Sequence, residues 1–160
     1  MRSANDQKSY TVKEATIKLM QFCAYRDRSQ KEVEEKLIDM RMIPAAQEQI
    51  IIKLMQEDFL NEERFARSFI RGKFRIKKWG RIKIKQELKA REISTPIIKL
   101  ALEEIEEDTY YKTLQELATK KIRLIKEADI YKKRMKLNNF LLQKGYETNL
   151  VYQVTEEVCS

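Results

Sequence analysis

Histidine is absent from this 160-residue sequence, and glycine, proline and cysteine are scarce, at three, two and two residues. Without imidazole the chain lacks the commonest general base and the commonest metal ligand. Cys23 and Cys159 form no CxxC pair and no disulfide framework, and two thiols without histidine do not make a zinc site. Cys23 follows Phe22 on an apolar helical face and reads as a small core residue rather than a nucleophile. The glycines at 72, 80 and 145 are isolated, so there is no phosphate-cradling loop. No apolar run approaches the length of a bilayer span, and no segment has the pattern of a cleaved export signal. These absences lead to the expectation of a cytoplasmic protein that is not an enzyme, carries no cofactor or metal and does not enter a membrane.

What is present is charge. Hydrophobic residues make up 42% and charged residues 36% of the chain, a Lys-, Glu-, Leu-, Ile- and Arg-rich composition typical of helical proteins. The net charge of +8 is unevenly placed. From Arg64 to Arg91 there are twelve basic residues and one acid, Glu87, giving +11, while the remaining 132 residues sum to −3. A second basic stretch covers Ala118 to Lys136, with eight Lys or Arg against Glu127 and Asp129. Between the two lies the acidic block "EEIEED" at 103–108. A solvated helix face mixes its signs, so a run of one sign points to a partner of the other.

Helix signals recur along the chain. Thr11 with Glu14 and Ser29 with Glu32 have capping-box spacing, each before an apolar stripe at helical intervals. Pro44 breaks the chain before Ile50, Ile51, Leu54 and Met55. Asn61 caps a helix whose first turn carries Glu62 and Glu63, and Phe65, Phe69 and Ile76 follow on one side. Thr95 and Pro96 read as a cap and first helical residue, followed by Ile97, Leu100, Ala101 and Ile105. Leu114, Leu117 and Ile125, then Met135, Leu137 and Leu141, then Leu150 to Val158 continue the pattern, with Gly145 as a helix stop. The resulting expectation is helices near 12–25, 29–41, 45–57, 61–78, 80–91, 95–106, 109–127, 129–143 and 147–158.

The stretch "RIKIKQEL" after Gly80 could be read as a strand, but it has no neighbouring strand to pair with. As a helix it places Ile84 with Leu88, and Arg81, Lys85 and Lys89 on a separate stripe. Leu37, Leu88 and Leu141 are spaced by 51 and 53 residues, each five residues before an apolar position at the next break, Met42, Ile93 and Tyr146. The expected fold class is therefore all-α: three tandem three-helix repeats, at 11–60, 61–108 and 109–158, forming an elongated curved body with a binding face.

The residues expected to meet an acidic partner, nucleic acid or an acidic protein surface, are Arg71, Lys73, Arg75, Lys77, Lys78, Arg81, Lys85 and Lys89, joined by Lys132, Lys133 and Arg134 in the second basic stretch. Trp79 stands among them. It can stack on a base, anchor a protein interface, or simply pack between helices.

Three segments carry a family resemblance: "FCAYRDRSQKEVEEKL" at 22–37, "LNEERFARSFIRGKFRIKKWGRIKIKQELKAREI" at 60–93, and "AL" at 101–102. The chain resembles the RecX family, bacterial regulators of the RecA recombinase, over residues 12–108, with "KWGR" as the most specific element. The third repeat matches in length, helix pattern and "QKGY". The chain departs from the family at Asn61 and Glu62, where a more acidic pair is usual, and at Arg91 and Glu92, which replace a helix-breaking glycine. The resemblance implies tandem three-helix repeats that bind the RecA–DNA filament along its groove. It further implies inhibition of ATP hydrolysis and strand exchange, with no catalysis by the regulator itself.

Two function classes stand open at this point. One is a monomeric regulator that docks on a recombinase filament and touches its DNA, single- or double-stranded, without sequence preference. The other is a helical nucleic-acid-binding protein with no filament partner. Charge separation favours the first, since "EEIEED" repels phosphate but suits a basic protein patch.

Overall fold

The capping boxes open the first two helices. In the computed structural model, which describes residues 9–160, the Thr11 hydroxyl accepts from the Glu14 amide while the Glu14 carboxylate accepts from the Thr11 amide. This starts α1 (Val12–Tyr25), and Ser29 with Glu32 repeats the arrangement at α2 (Gln30–Asp39). Pro44 is the first residue of α3 (Pro44–Gln56), where its missing amide proton leaves no bond unmade. Asn61 accepts from the Arg64 amide at the head of α4 (Glu62–Arg75). The chain continues through α5 (Arg81–Ala90) and α6 (Thr95–Ala101), which tightens into a 3₁₀ turn at Leu102–Glu104. The last three helices are α7 (Glu107–Leu124), α8 (Ile130–Gln143, capped by Asp129) and α9 (Thr148–Cys159). Among the described residues there are nine α-helices and no strand.

The repeat seen in the leucine spacing has a structural basis. The second helix of each unit ends in the same hydrogen bond, from the amide of Met42, Ile93 or Tyr146 to the carbonyl of Leu37, Leu88 or Leu141, at 3.0, 3.1 and 3.3 Å. The residue before each donor is left-handed: Arg41, Glu92 and Gly145 have φ of 61°, 60° and 97°. This is the Schellman ending, which satisfies carbonyls that the last helical turn would otherwise leave free. Two of the three left-handed positions are filled by residues other than glycine.

Apolar burial divides the molecule unevenly. One core gathers Leu19, Val33, Leu37, Ile50 and Leu54 with their neighbours from α1–α3. The other runs without a break through α4–α9, from Phe65 and Ile70 to Val151 and Val154. Its centre is a column of rings, with Phe74 to Tyr110 at 5.8 Å and Tyr110 to Tyr146 at 5.2 Å between centroids. The first unit meets the second through polar contacts: Arg64 to Asp27 at 2.7 Å, and Lys31 to the Ala90 carbonyl at 3.2 Å. The three units therefore follow one another in tandem, with the second and third fused through a shared core.

Several sequence expectations shift. Helix α4 ends at Arg75 rather than 78, and Ile76, assigned to its apolar side, is 78% exposed. Ser94, not Thr95, occupies the N-cap of α6, and no side chain bonds there. Met55, Leu100 and Met135 fit the core periodicity yet stand at the surface.

Candidate nucleic-acid interface

The most basic part of the chain is shaped by the turn between α4 and α5. After Arg75 the chain leaves the helix, Lys78 adopts a φ of 59°, and the Trp79 amide donates back to the Lys73 carbonyl at 3.1 Å. The third unit then holds this turn from outside. The Gly80 amide donates to the Lys144 carbonyl at 2.8 Å, and the Ile82 amide to the Gly145 carbonyl at 2.9 Å. The Tyr146 hydroxyl donates to the Lys78 carbonyl at 2.8 Å, and the Lys144 ammonium to the Lys77 carbonyl at 3.2 Å. Contact is so close that a Cβ on Gly80 would overlap the Gly145 carbonyl oxygen. Four hydrogen bonds thus tie the basic turn and the first turn of α5 to residues more than sixty positions away.

Arg81, next in the chain, belongs to this joint. Its guanidinium pairs with Glu107 at 2.5 Å and with Glu147 at 2.7 Å, and lies 4.0 Å from the centre of the Tyr110 ring. The Tyr110 hydroxyl accepts from the Arg81 amide at 3.0 Å and donates a short bond to Glu147. Burial and the Glu147 carboxylate push that hydroxyl far above its ordinary pKa, so it stays protonated and can only donate to the carboxylate. Burial works against the Arg81 charge, but the Glu107 hydrogen bond and the Glu147 field raise its pKa further. Arg81 is thus occupied within the fold.

Around the loop, cations and rings alternate. Lys83 lies 4.5 Å and Lys73 4.9 Å from the centre of the Trp79 ring. Lys73 also lies 5.4 Å, and Arg91 4.7 Å, from the centre of Phe69. The order Lys83, Trp79, Lys73, Phe69, Arg91 makes a ladder across the second unit. It ends in a groove of about 550 Å³ against the first unit, where Arg26, Lys31, Lys73 and Arg91 share the lining with Glu32 and Glu35. Trp79 is half-buried against the shared core with lysines on its ring. Those contacts support its packing role among the three readings and set its lysines outward.

The other expected residues separate into groups. Arg71 pairs with Glu104 at 3.3 Å, and the unforeseen Arg67 pairs with Glu63, Glu103 and Glu104 at 3.6, 3.6 and 3.1 Å. Hydrogen bonds from Arg67 and Arg71 hold the Glu104 carboxyl below its ordinary pKa. The acidic block therefore neutralises one flank of α4, and Glu107 of the same block neutralises Arg81; these acids are not free for a basic partner. Arg75, Lys77, Lys78, Lys85 and Lys89 are exposed, and among the described residues none has an acid within ion-pair distance. Lys132, Lys133 and Arg134 lie elsewhere, on the first turns of α8. Lys83, Arg91 and Lys144 were not singled out by sequence; the first two lie in the same basic run, whereas Lys144 is brought in only by folding.

Two further features bound the chemistry. Among the described residues no group of His, Cys, Asp and Glu is arranged to hold a metal ion. No helix of the described chain is long and apolar enough to cross a membrane.

Comparison with known proteins closes the question of kinship. Residues 61–102 match the second three-helix domain of RecX, and residues 108–155 match its third three-helix domain. The regulatory protein RecX of Clostridium acetobutylicum is 31% identical over 150 residues, covering 91% of this chain and 69% of that protein. The chain belongs to the RecX family. A second RecX relative, from Oceanobacillus iheyensis, is 28% identical over 159 residues, which span 99% of this chain and 58% of its own length. Others, such as that of Bacillus cytotoxicus, are matched over 54% of their length, so the chain spans only about half of some RecX relatives. In fold, it is similar to the crystal structure of RecX from Lactobacillus salivarius, with a TM-score of 0.84 over 92% of this chain and 96% of that one, at 24% identity. A second RecX crystal structure gives 0.83 at 19% identity.

Proposed function

We propose that this RecX-family chain is a non-catalytic regulator of the RecA recombinase, lying in the groove of the RecA–DNA filament and suppressing its ATP hydrolysis and strand exchange. The observation that carries this reading is the basic turn at 76–80, held rigid by the third unit beside a ladder of cations. A preorganised set of cations loses little conformational entropy on meeting phosphates, and such contacts are sequence-independent and salt-sensitive. Exposed Arg75, Lys77, Lys78, Lys85 and Lys89, with Lys73 and Lys83 set over Trp79, supply them. Three units at 11–60, 61–108 and 109–158 span neighbouring protomers of a repeating lattice, and the protein acts as a cytoplasmic monomer.

The test is co-sedimentation with recombinase filaments assembled on single-stranded DNA, compared with DNA alone before and after nuclease. Binding to the filament is expected to survive nuclease treatment that trims unprotected DNA. Sedimentation only with naked DNA would instead identify a stand-alone nucleic-acid-binding protein.

A further inference from the structure

The second basic stretch forms an arm with no core of its own. Helix α7 contributes its last fully buried residue at Ala118, and α8 its first at Leu137; nothing from Thr119 to Lys136 is buried. Ile122, midway along the hairpin, and Ile125, in the turn that follows α7, rest partly against the core and hold the hairpin to it. Its two acids serve its own structure. Asp129 accepts from the Tyr131 and Lys132 amides at 2.8 and 3.2 Å, and Glu127 pairs with Lys136 at 3.2 Å. Eight cations against those two acids leave the arm at +6.

Four large apolar side chains stay in solvent at the same end of the hairpin. Leu124 closes α7 at 72% exposure, and Ile130, Tyr131 and Met135 follow on α8 at 53%, 67% and 46%. Tyr131 and Met135 stand one turn apart on one helix face. Isolated apolar residues on a surface are ordinary, but several together at the end of a charged hairpin mark a contact site. A phosphate backbone would satisfy the cations and leave Leu124, Ile130 and Met135 with nothing to bury against. A bilayer surface calls for a long continuous apolar helix face lying in the plane, which two short antiparallel helix ends do not present. An acidic protein surface with an apolar cleft meets both needs: Tyr and Met suit an interface centre, and the surrounding cations suit its rim.

We propose that the arm 119–136 is a docking site for an acidic protein surface bearing an apolar cleft. Resting on the functional reading above, the partner is a protein subunit of the filament, while the α4–α5 turn takes the phosphates.

The experiment uses the full chain with Leu124→Ser, Tyr131→Ser and Met135→Ser combined, and separately with Lys132→Gln, Lys133→Gln and Arg134→Gln combined. Each is measured for thermal midpoint, for affinity to single-stranded DNA, for co-sedimentation with the filament, and for flotation with phosphatidylserine-containing vesicles. The apolar triple variant is expected to keep its DNA affinity within about twofold while losing about tenfold or more in filament binding, as for an interface-centre cluster. The basic triple variant is expected to lose filament binding as well, which keeps the proposal testable should the first variant fold poorly. Unchanged filament binding in either folded variant overturns the proposal alone. So does DNA affinity falling in step with filament binding, or wild-type vesicle binding that the apolar variant abolishes. Wild-type protein that ignores the filament altogether overturns the functional reading, and the named partner with it.

Discussion

Gly80 and Glu92 place opposite demands on their backbones. Gly80 has an ordinary φ of −78° but no room, since the Gly145 carbonyl lies where its side chain would be. Gly80→Ala must separate the α4–α5 turn from the α8–α9 turn, at a cost of about 3 kcal/mol by comparison with overpacked cores. Glu92 has room but an unfavourable φ of 60°. Glu92→Gly relieves a left-handed strain of about 1–2 kcal/mol and gives part of it back as unfolded-state entropy, for a net gain of about 0.5–1 kcal/mol. For a chain of this size each kcal/mol shifts the melting midpoint by about 2–4 °C, so thermal denaturation is expected to move in opposite directions for the two variants. Equal midpoints would remove the argument for both positions. Arg81 and Lys85 make a second contrast. Arg81→Met leaves Glu107 and Glu147 without their cation and is expected to cost about 2 kcal/mol, less than a fully buried pair because Glu107 is exposed. Lys85→Gln is expected to leave the melting midpoint unchanged and to lower the slope of log affinity against log salt for DNA by about 0.9. A salt titration beside each melt separates the two roles, and a stable Arg81→Met protein would refute the assignment of Arg81 to the joint.

At the scale of elements, α4 shows what was legible in the sequence and what was not. Its start follows from local chemistry, because Asn61 and the amide it caps lie three residues apart. Its end does not, because the bonds that stabilise the turn at 76–80 come from Lys144, Gly145 and Tyr146. The same distinction explains the site. The basic run could be read directly, and Lys85 and Lys89 emerged on their exposed stripe, but the partners of Arg81 are 26 and 66 residues further along. The acidic block likewise looked wholly available to a partner, whereas folding pairs Glu103, Glu104 and Glu107 with arginines and leaves Glu106 and Asp108 exposed. That pairing predicts a pH dependence. Glu104 has its pKa depressed in the folded state by Arg67 and Arg71, so its contribution is complete above the ordinary carboxylate value and is lost as pH falls through the folded one. The melting midpoint of wild type is expected to exceed that of Glu104→Gln at pH 7, with the difference closing under acid. A difference that stays constant down to low pH would mean the carboxylate is not stabilised by those arginines.

For the whole molecule, the unequal junctions matter most. The first unit has its own core and a polar seam, whereas the second and third share apolar packing, a column of rings and interlocked turns. Cutting the chain after Asp108 would thus remove half of a core along with the residues that fix the basic turn, and is not a neutral deletion. Point changes on exposed cations are the sharper instrument, since they alter charge and leave packing alone. The decisive measurement is the DNA-stimulated ATPase rate of RecA titrated with the full chain and with a Lys77→Gln, Lys78→Gln, Lys85→Gln variant, each beside its DNA affinity. A filament regulator is expected to suppress hydrolysis at concentrations that leave most naked DNA unbound, with the variant shifted to higher concentration at an unchanged melting midpoint. Hydrolysis undiminished by any excess of the wild-type chain would contradict the account.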